Sequence, residues 1–295
     1  MMFWIRTPEK TYFKAGCMQI ALSELKDVYG CKKAFIVTSQ KRYSKGHINV
    51  IEECLRGLSV QYICFTDAGR DIEKICQGAK EMKLFEPDVI IAAGCGCVID
   101  SAKAMRLLYE YPETDLKALS VSNNDIRNRD MTFPRLGSRP LFAAIPALAG
   151  CTSAVSPYSV IKDADSSLLI ADYQLMPDIA VADSILPGAL CPVKLKKALA
   201  AAAAKAVLSY KSEAATDYTR GFAIKGLEGI ISNYEKAAAG DSSVYEALFE
   251  AATLCGISSA NTEYSDKELS QVISENDISD IPVPSLREGL SVLTD

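Results

Sequence analysis

The stretch Pro87-Asp88-Val89-Ile90-Ile91-Ala92-Ala93-Gly94-Cys95-Gly96-Cys97-Val98-Ile99-Asp100 decides the fold. Its first half is an unbroken apolar run of strand length, rich in β-branched residues. Such a run suits a parallel strand buried on both faces. Gly94-Cys95-Gly96-Cys97 then forms a short loop, and Val98 to Leu108 has a helical pattern. Strand, glycine loop and helix together make a cradle for a dinucleotide pyrophosphate, because the helix N-terminus presents free N–H groups and a partial positive charge. A glycine pair also occurs in ordinary tight turns, so the loop by itself is weak evidence.

Working outward, the same alternation recurs. Lys33 to Ser39 reads as a second buried strand, with a helix over Ile48 to Leu58 on its exit. Val60 to Phe65 is a third strand, and Asp71 to Phe85 a helix leading into the central strand. Upstream, Lys10 to Gly16 reads as a short strand and turn, and Met18 to Tyr29 as a helix stopped by Gly30. Downstream, residues 120–140 read as an irregular polar excursion, Leu141 to Pro146 as a strand, and Tyr158 to Asp163 with Ser167 to Ile170 as a hairpin. Ile179 to Asp183 is the last strand. This order predicts a mostly parallel sheet with helices on both faces. Beyond Leu186-Pro187-Gly188 only helical patterns remain: Val193 to Tyr210, Thr219 to Ala239 and Ser243 to Asn261. The expected organisation is an α/β nucleotide-binding-like domain over 1–186 and an all-helical domain over 187–295.

Composition excludes several function classes. A net charge of −5 argues against nucleic acid or an anionic membrane as partner. No apolar stretch is long enough to span a bilayer, and the N-terminus lacks a cleavable signal pattern. The ten cysteines follow no regular framework, which reads as reduced thiols in a cytoplasmic protein. The single histidine, His47, sits on the exit from the second strand and reads as a surface or helix-start residue.

At the level of ordered motifs the chain resembles the iron-dependent alcohol dehydrogenases, in particular the alcohol dehydrogenase half of bifunctional aldehyde–alcohol dehydrogenases. The residues that carry the resemblance include Tyr12-Phe13-Lys14-Ala15-Gly16, Lys33 to Thr38 and Pro87 to Ala92. Tyr109 to Thr114, Asp125-Ile126-Arg127, Phe133-Pro134, Ala171-Asp172-Tyr173, Met176-Pro177-Asp178 and Ile281-Pro282 with Leu286-Arg287-Glu288 match the bifunctional enzymes. The resemblance implies a Rossmann-like domain followed by a helical domain, here read as shortened by about a hundred residues, with the active site between them.

It also implies a catalytic metal, usually iron(II), held by one Asp and three His. Counting from Asp183, the first two ligand positions fall at Ala201 and Lys205, four residues apart on one helix face. Alanine has no donor and a lysine cation repels a metal. The third position falls near Glu268, and no stretch matches the fourth. Glu263, Asp266 and Glu268 read as a solvated acidic cluster rather than a rebuilt site.

The nucleotide loops depart from the family pattern as well. Gly94, Gly96 and Asp100 are kept, while Cys95 puts a Cβ where backbone approaches phosphate and Cys97 replaces a hydroxyl with a weaker thiol donor. The second family loop stands as Ala147 to Ala154, with threonine donors lost. Ser39 takes the place of the acidic ribose ligand, beside Lys41 and Arg42, an arrangement compatible with a 2′-phosphate, although both cations read equally well as facing water. Gly94, Gly96, Cys97, Asp100 and Ser39 are thus vestigial cofactor-binding candidates. A thiol at a helix N-terminus also invites redox sensing by Cys97, although a buried inert thiol is the default.

These substitutions lead to four expectations. The chain is a catalytically inactive pseudoenzyme with an assembly or partner-binding role, the alternative being an NAD(P)-dependent oxidoreductase of small alcohols and aldehydes. It uses no cofactor beyond weakly bound NAD(P), and no iron or zinc. It forms a homo-oligomer or joins a full-length aldehyde–alcohol dehydrogenase, because apolar residues such as Leu227, Ile230, Leu248 and Phe249 need a covering surface. Neither nucleic acid nor membrane is a partner.

Overall fold

The computed structural model describes residues 4–120, 132–137, 139–164, 166–185 and 192–262. Asp125-Ile126-Arg127, the Leu186-Pro187-Gly188 break, the acidic cluster with Glu268 and the proline-punctuated tail lie outside the described residues.

Six parallel strands form one sheet: β1 (Lys10–Phe13), β2 (Lys33–Val37), β3 (Gln61–Phe65), β4 (Val89–Gly94), β5 (Leu141–Pro146) and β8 (Ile179–Ala182). Their spatial order is β1-β8-β5-β4-β2-β3, which puts the continuous apolar run of β4 in the interior. Every residue of β4 is buried. Its register aligns Ile91 with Ile36 on one side and with Ala143 on the other. Side chains alternate between faces. Ile90 and Ala92 join a core with Phe35, Phe142 and Met105, while Val89, Ile91 and Ala93 join another with Ala34, Ile36 and Leu22. Burying each isoleucine contributes about 1.5–3 kcal/mol.

Helices cover both faces. α1 (Cys17–Asp27) and α3 (Asn49–Gly57) supply one, α4 (Ile72–Phe85) and α5 (Gly96–Glu110) the other, and a one-turn helix α2 (Gln40–Tyr43) follows β2. The strands β6 (Tyr158–Asp163) and β7 (Ser166–Ala171) make the predicted antiparallel hairpin. Asp183, at the end of β8, accepts hydrogen bonds from the Gly16 and Met18 N–H groups at 3.0 and 2.9 Å and so satisfies the α1 N-terminus.

Three long helices complete the described chain: α6 (Pro192–Lys211), α7 (Asp217–Ala238) and α8 (Tyr245–Ala260). Thr216 and Thr219 form a reciprocal capping box at the start of α7. Gly226 and Gly229 let α7 approach α8 closely: a Cβ on Gly226 would stand 2.6 Å from the Cys255 sulfur, and one on Gly229 would stand 2.7 Å from Ala251 Cβ. Leu227, Ile230, Ile231, Leu248 and Phe249 are all buried in the core these helices share. The chain itself covers the residues expected to need a partner, so they give no motive for oligomerisation. None of the described helices is long and apolar enough to cross a membrane.

Candidate functional site

The site forms where β4 ends and α5 begins. Gly94 closes the strand, Cys95 is the N-cap with extended backbone (φ −76°, ψ 175°), and α5 starts at Gly96. A Cβ on Gly94 would lie 2.7 Å from Val98 Cβ, so this turn requires glycine. Gly96 faces the second loop, and a Cβ there would meet Ser153 Oγ at 3.0 Å. The strand-to-helix turn falls on the expected stretch, with α5 beginning at Gly96, two residues before the expected Val98.

Four cations surround it. Arg42, on α2, is half-buried, and its charge lies close to Cys95, Cys97 and Cys151; its Nη1 is buried without a hydrogen-bond partner. Lys41, beside it, faces water. Arg70 Nη2 lies 3.5 Å from the Asp100 carboxylate, and its Nε is likewise buried and unpartnered. Lys103 is buried on α5 and donates to the carbonyls of Ser153, Ser156 and Tyr158 at 2.8, 2.6 and 2.8 Å. Lys205 Nζ donates to Thr152 Oγ1 at 3.1 Å.

Asp100 is the carboxylate at the centre of this group. Burial raises its pKa, opposed by Lys103 and Arg70. Burial pulls Lys103 down to about 8, opposed by Asp100. Its three carbonyl acceptors match the three donors of an ammonium. His47 stands beside Arg42, and burial together with the charges of Arg42 and Lys45 lowers its pKa, favouring neutral imidazole. Sequence reasoning missed the inward turn of Arg42 and the burial of Lys103 and His47 Nδ1; the Lys41-Arg42 pair was the available signal.

Cys95 and Cys97 are half-buried, with their sulfurs 2.8 Å apart. The hydrogen bond from Cys97 brings Cys95 down to about 6, with help from the Val98 N–H and Arg42. The same bond, with burial, raises Cys97. The contact between the two sulfurs and the Val98 N–H favour a thiolate at this helix N-terminus. Cys151 is pushed up to about 12 by burial.

Ser39, two residues beyond β2, is the N-cap of α2, and Thr38 Oγ1 donates to the Ala93 carbonyl at 2.9 Å, holding the β2 and β4 ends together. Ala201 and Lys205 both lie on α6, as the four-residue spacing predicts, but only Lys205 brings a polar group to the loop. Glu268 lies outside the described residues.

Known proteins share this arrangement of elements. The family model for iron-containing alcohol dehydrogenase matches residues 8–184. The chain is 35% identical over 272 residues to an aldehyde-alcohol dehydrogenase of Clostridium acetobutylicum, covering 88% of this chain and 31% of that protein. It is 31% identical over 261 residues to an NADPH-dependent butanol dehydrogenase of Clostridium saccharobutylicum, covering 86% of this chain and 63% of that protein. The chain thus spans about a third of the length of the bifunctional relatives. An iron-containing alcohol dehydrogenase structure from Thermococcus thioreducens shares the fold, with a TM-score of 0.78 at 24% identity over 88% of this chain and 67% of that one.

These matches correct the expectation that the chain uses no cofactor and no iron or zinc. The matched family is iron-containing by description, and one relative is NADPH-dependent. The error was to read the lost neutral donors of the two loops as unreplaced. The structure instead places the guanidiniums of Arg42 and Arg70 beside the α5 N-terminus with buried N–H groups unpartnered, which fits the phosphates of a dinucleotide. The described residues fit a metal less well. No three His, Cys, Asp or Glu among them are placed to hold one, and Lys205 brings a positive charge instead. From its sequence, its fold and these matches, the chain belongs to the iron-containing alcohol dehydrogenase family.

Proposed function

We propose that this chain is a dinucleotide-binding member of the family whose described cleft residues do not oxidise alcohols, a pseudoenzyme retained for binding and assembly. The observation that carries this reading is Lys205. At the position the resemblance gives to a metal-binding histidine, it holds an ammonium against Thr152, on the loop beside Gly96. Ala201, one turn earlier, supplies no donor. A nicotinamide nucleotide held there would supply hydride chemistry. The residues described here account for holding the nucleotide's phosphates: Arg42 and Arg70 face them with the α5 N-terminus, while Asp100 and Lys103 lock the loop behind.

Assembly with a second copy is part of this proposal. The edge strand β1 supports it, since Phe13 is 56% exposed there and Ile20, on the adjoining α1, is 61% exposed. The nine described cysteines are free thiols, which supports a reducing, cytoplasmic setting.

Fluorescence titration with NADPH, an anaerobic assay with iron(II), NADPH and butyraldehyde, and light scattering test the reading. Saturable NADPH binding, no turnover above a metal-free control and a dimer or larger species are expected. Turnover above the control overturns the pseudoenzyme reading, and a monomer overturns the assembly role.

A further inference from the structure

The loop that meets α5 carries a feature that phosphate binding does not use. Cys95 and Cys97 bring their sulfurs to 2.8 Å across a single glycine. Two sulfurs at that distance need less than 1 Å of movement to reach a disulfide bond length of about 2.05 Å. Both are half-buried, as is Cys151 beside them, so a small oxidant can reach the pair. A guanidinium, Arg42, lies close to the pair with a buried donor unused. A thiolate stabilised this way is the reactive form of cysteine.

We infer that Cys95 and Cys97 form a dithiol that a peroxide oxidises to an intraloop disulfide, making this loop a reversible modification site. The Cys95 thiolate attacks one peroxide oxygen and breaks the O–O bond, giving a Cys95 sulfenic acid and, with one proton, water. The Cys97 thiol then attacks the Cys95 sulfur, the S–S bond forms, and the S–OH oxygen leaves as a second water carrying the Cys97 proton. Two thiols and one hydrogen peroxide give one disulfide and two waters. The sulfur–sulfur contact lowers the pKa of Cys95, which suits this direction. The inference is independent of nucleotide binding, and its test uses no nucleotide.

The full chain, reduced and freed of reductant, is treated with hydrogen peroxide at neutral pH, alkylated, digested and weighed by mass spectrometry. The fragment holding Cys95 and Cys97 is expected to lose two hydrogen masses and to escape alkylation. Its loss of free thiol should run about tenfold faster than that of the half-buried Cys54, given the larger thiolate fraction offset by lower intrinsic nucleophilicity. A thiol reductant should reverse it. In Cys97→Ser, dimedone should trap a sulfenic acid at Cys95; in Cys95→Ser, Cys97 should give no adduct above that of Cys54. A Cys95–Cys97 fragment that alkylates as fully as the Cys54 fragment after peroxide, or a Cys95–Cys151 pairing, overturns the inference. The wild-type fragment mass decides the matter even where a serine variant does not fold.

Discussion

Lys205 on α6 donates to Thr152 Oγ1 at 3.1 Å, so the helical region holds the loop that lies against the start of α5. The bond is half-buried and comes from a charged donor. Replacing Lys205 with methionine keeps the stem's packing and removes the bond. We expect a loss of about 1 kcal/mol and a melting temperature lower by a few degrees. Alcohol oxidation should not appear in this variant, because Ala201 still offers no donor. Turnover in Lys205→Met would show that the lysine alone blocked the chemistry.

Lys103 matters far more to stability. Its ammonium satisfies three carbonyls of the segment from Ser153 to Tyr158 and lies beside the buried Asp100. Lys103→Met leaves the carbonyls unpaired and Asp100 short of a counter-charge, and should cost about 3–5 kcal/mol in denaturant unfolding. The pH dependence has a definite sign. Lys103 has a folded pKa near 8 and an ordinary value of 10.5. The unfolded chain therefore binds more protons between those values, and this group's burial penalty is relieved as pH rises from about 8 to about 10.5. A wild-type minus Lys103→Met stability difference that shrinks with rising pH in that window would contradict this.

Gly150 has a φ of +95°, and a Cβ there would stand 2.4 Å from the Ala198 carbonyl carbon of α6. Gly150→Ala should therefore destabilise by more than about 2 kcal/mol, combining left-handed strain with a backbone clash. Gly256, whose Cβ would meet Val155 Cγ2 at 2.6 Å, should cost about 1–3 kcal/mol as alanine because a side chain can shift aside. Equal and small effects in thermal melts would show that α6 and α8 do not pack on this loop as described.

The sheet was legible in the sequence because its strands are uninterrupted apolar runs. Val89 to Ala93 is buried on both faces, and no other element of that length satisfies its backbone. Gly94 and Gly96 were legible because a turn and a close contact demand them. Arg42 was not, because its direction depends on a single turn of helix after β2 that carries no apolar period. The helical core misled for a related reason. The α7 pattern shows which residues are apolar, but Gly226 and Gly229 set how closely α8 approaches, and hence that Leu227 and Leu248 are covered within the chain. Family counting placed Ala201 and Lys205 on one helix; that the lysine bonds a threonine of the nucleotide-type loop needed the fold.

Arg42 should govern phosphate recognition. Its charge lies close to Cys95 and Cys97 and one buried donor is unused, so on the proposed reading Arg42→Gln removes a charge-assisted hydrogen bond to a dinucleotide phosphate. NADPH affinity should fall about tenfold, or about 1.4 kcal/mol, and become less sensitive to salt. Unchanged affinity and unchanged salt dependence in calorimetry would place the phosphates elsewhere.

Cys95 should also report its own surroundings through pH. Alkylation by iodoacetamide follows the thiolate, so the rate at Cys95 should rise through a midpoint near 6 and level off above it. The sign follows from proton binding: below about 6 the thiolate is protonated and reactivity falls, whereas an ordinary cysteine still gains reactivity up to about 8.5. Removing the Cys97 donor with Cys97→Ala should move the Cys95 midpoint upward, since that hydrogen bond is the largest cause of its depression. Peptide-resolved alkylation kinetics in both proteins separate the contributions. A Cys95 midpoint near 8.5 in the wild type would mean that Cys97 does not donate to it, and a midpoint unmoved in Cys97→Ala would assign the depression to Arg42 and the helix N-terminus instead.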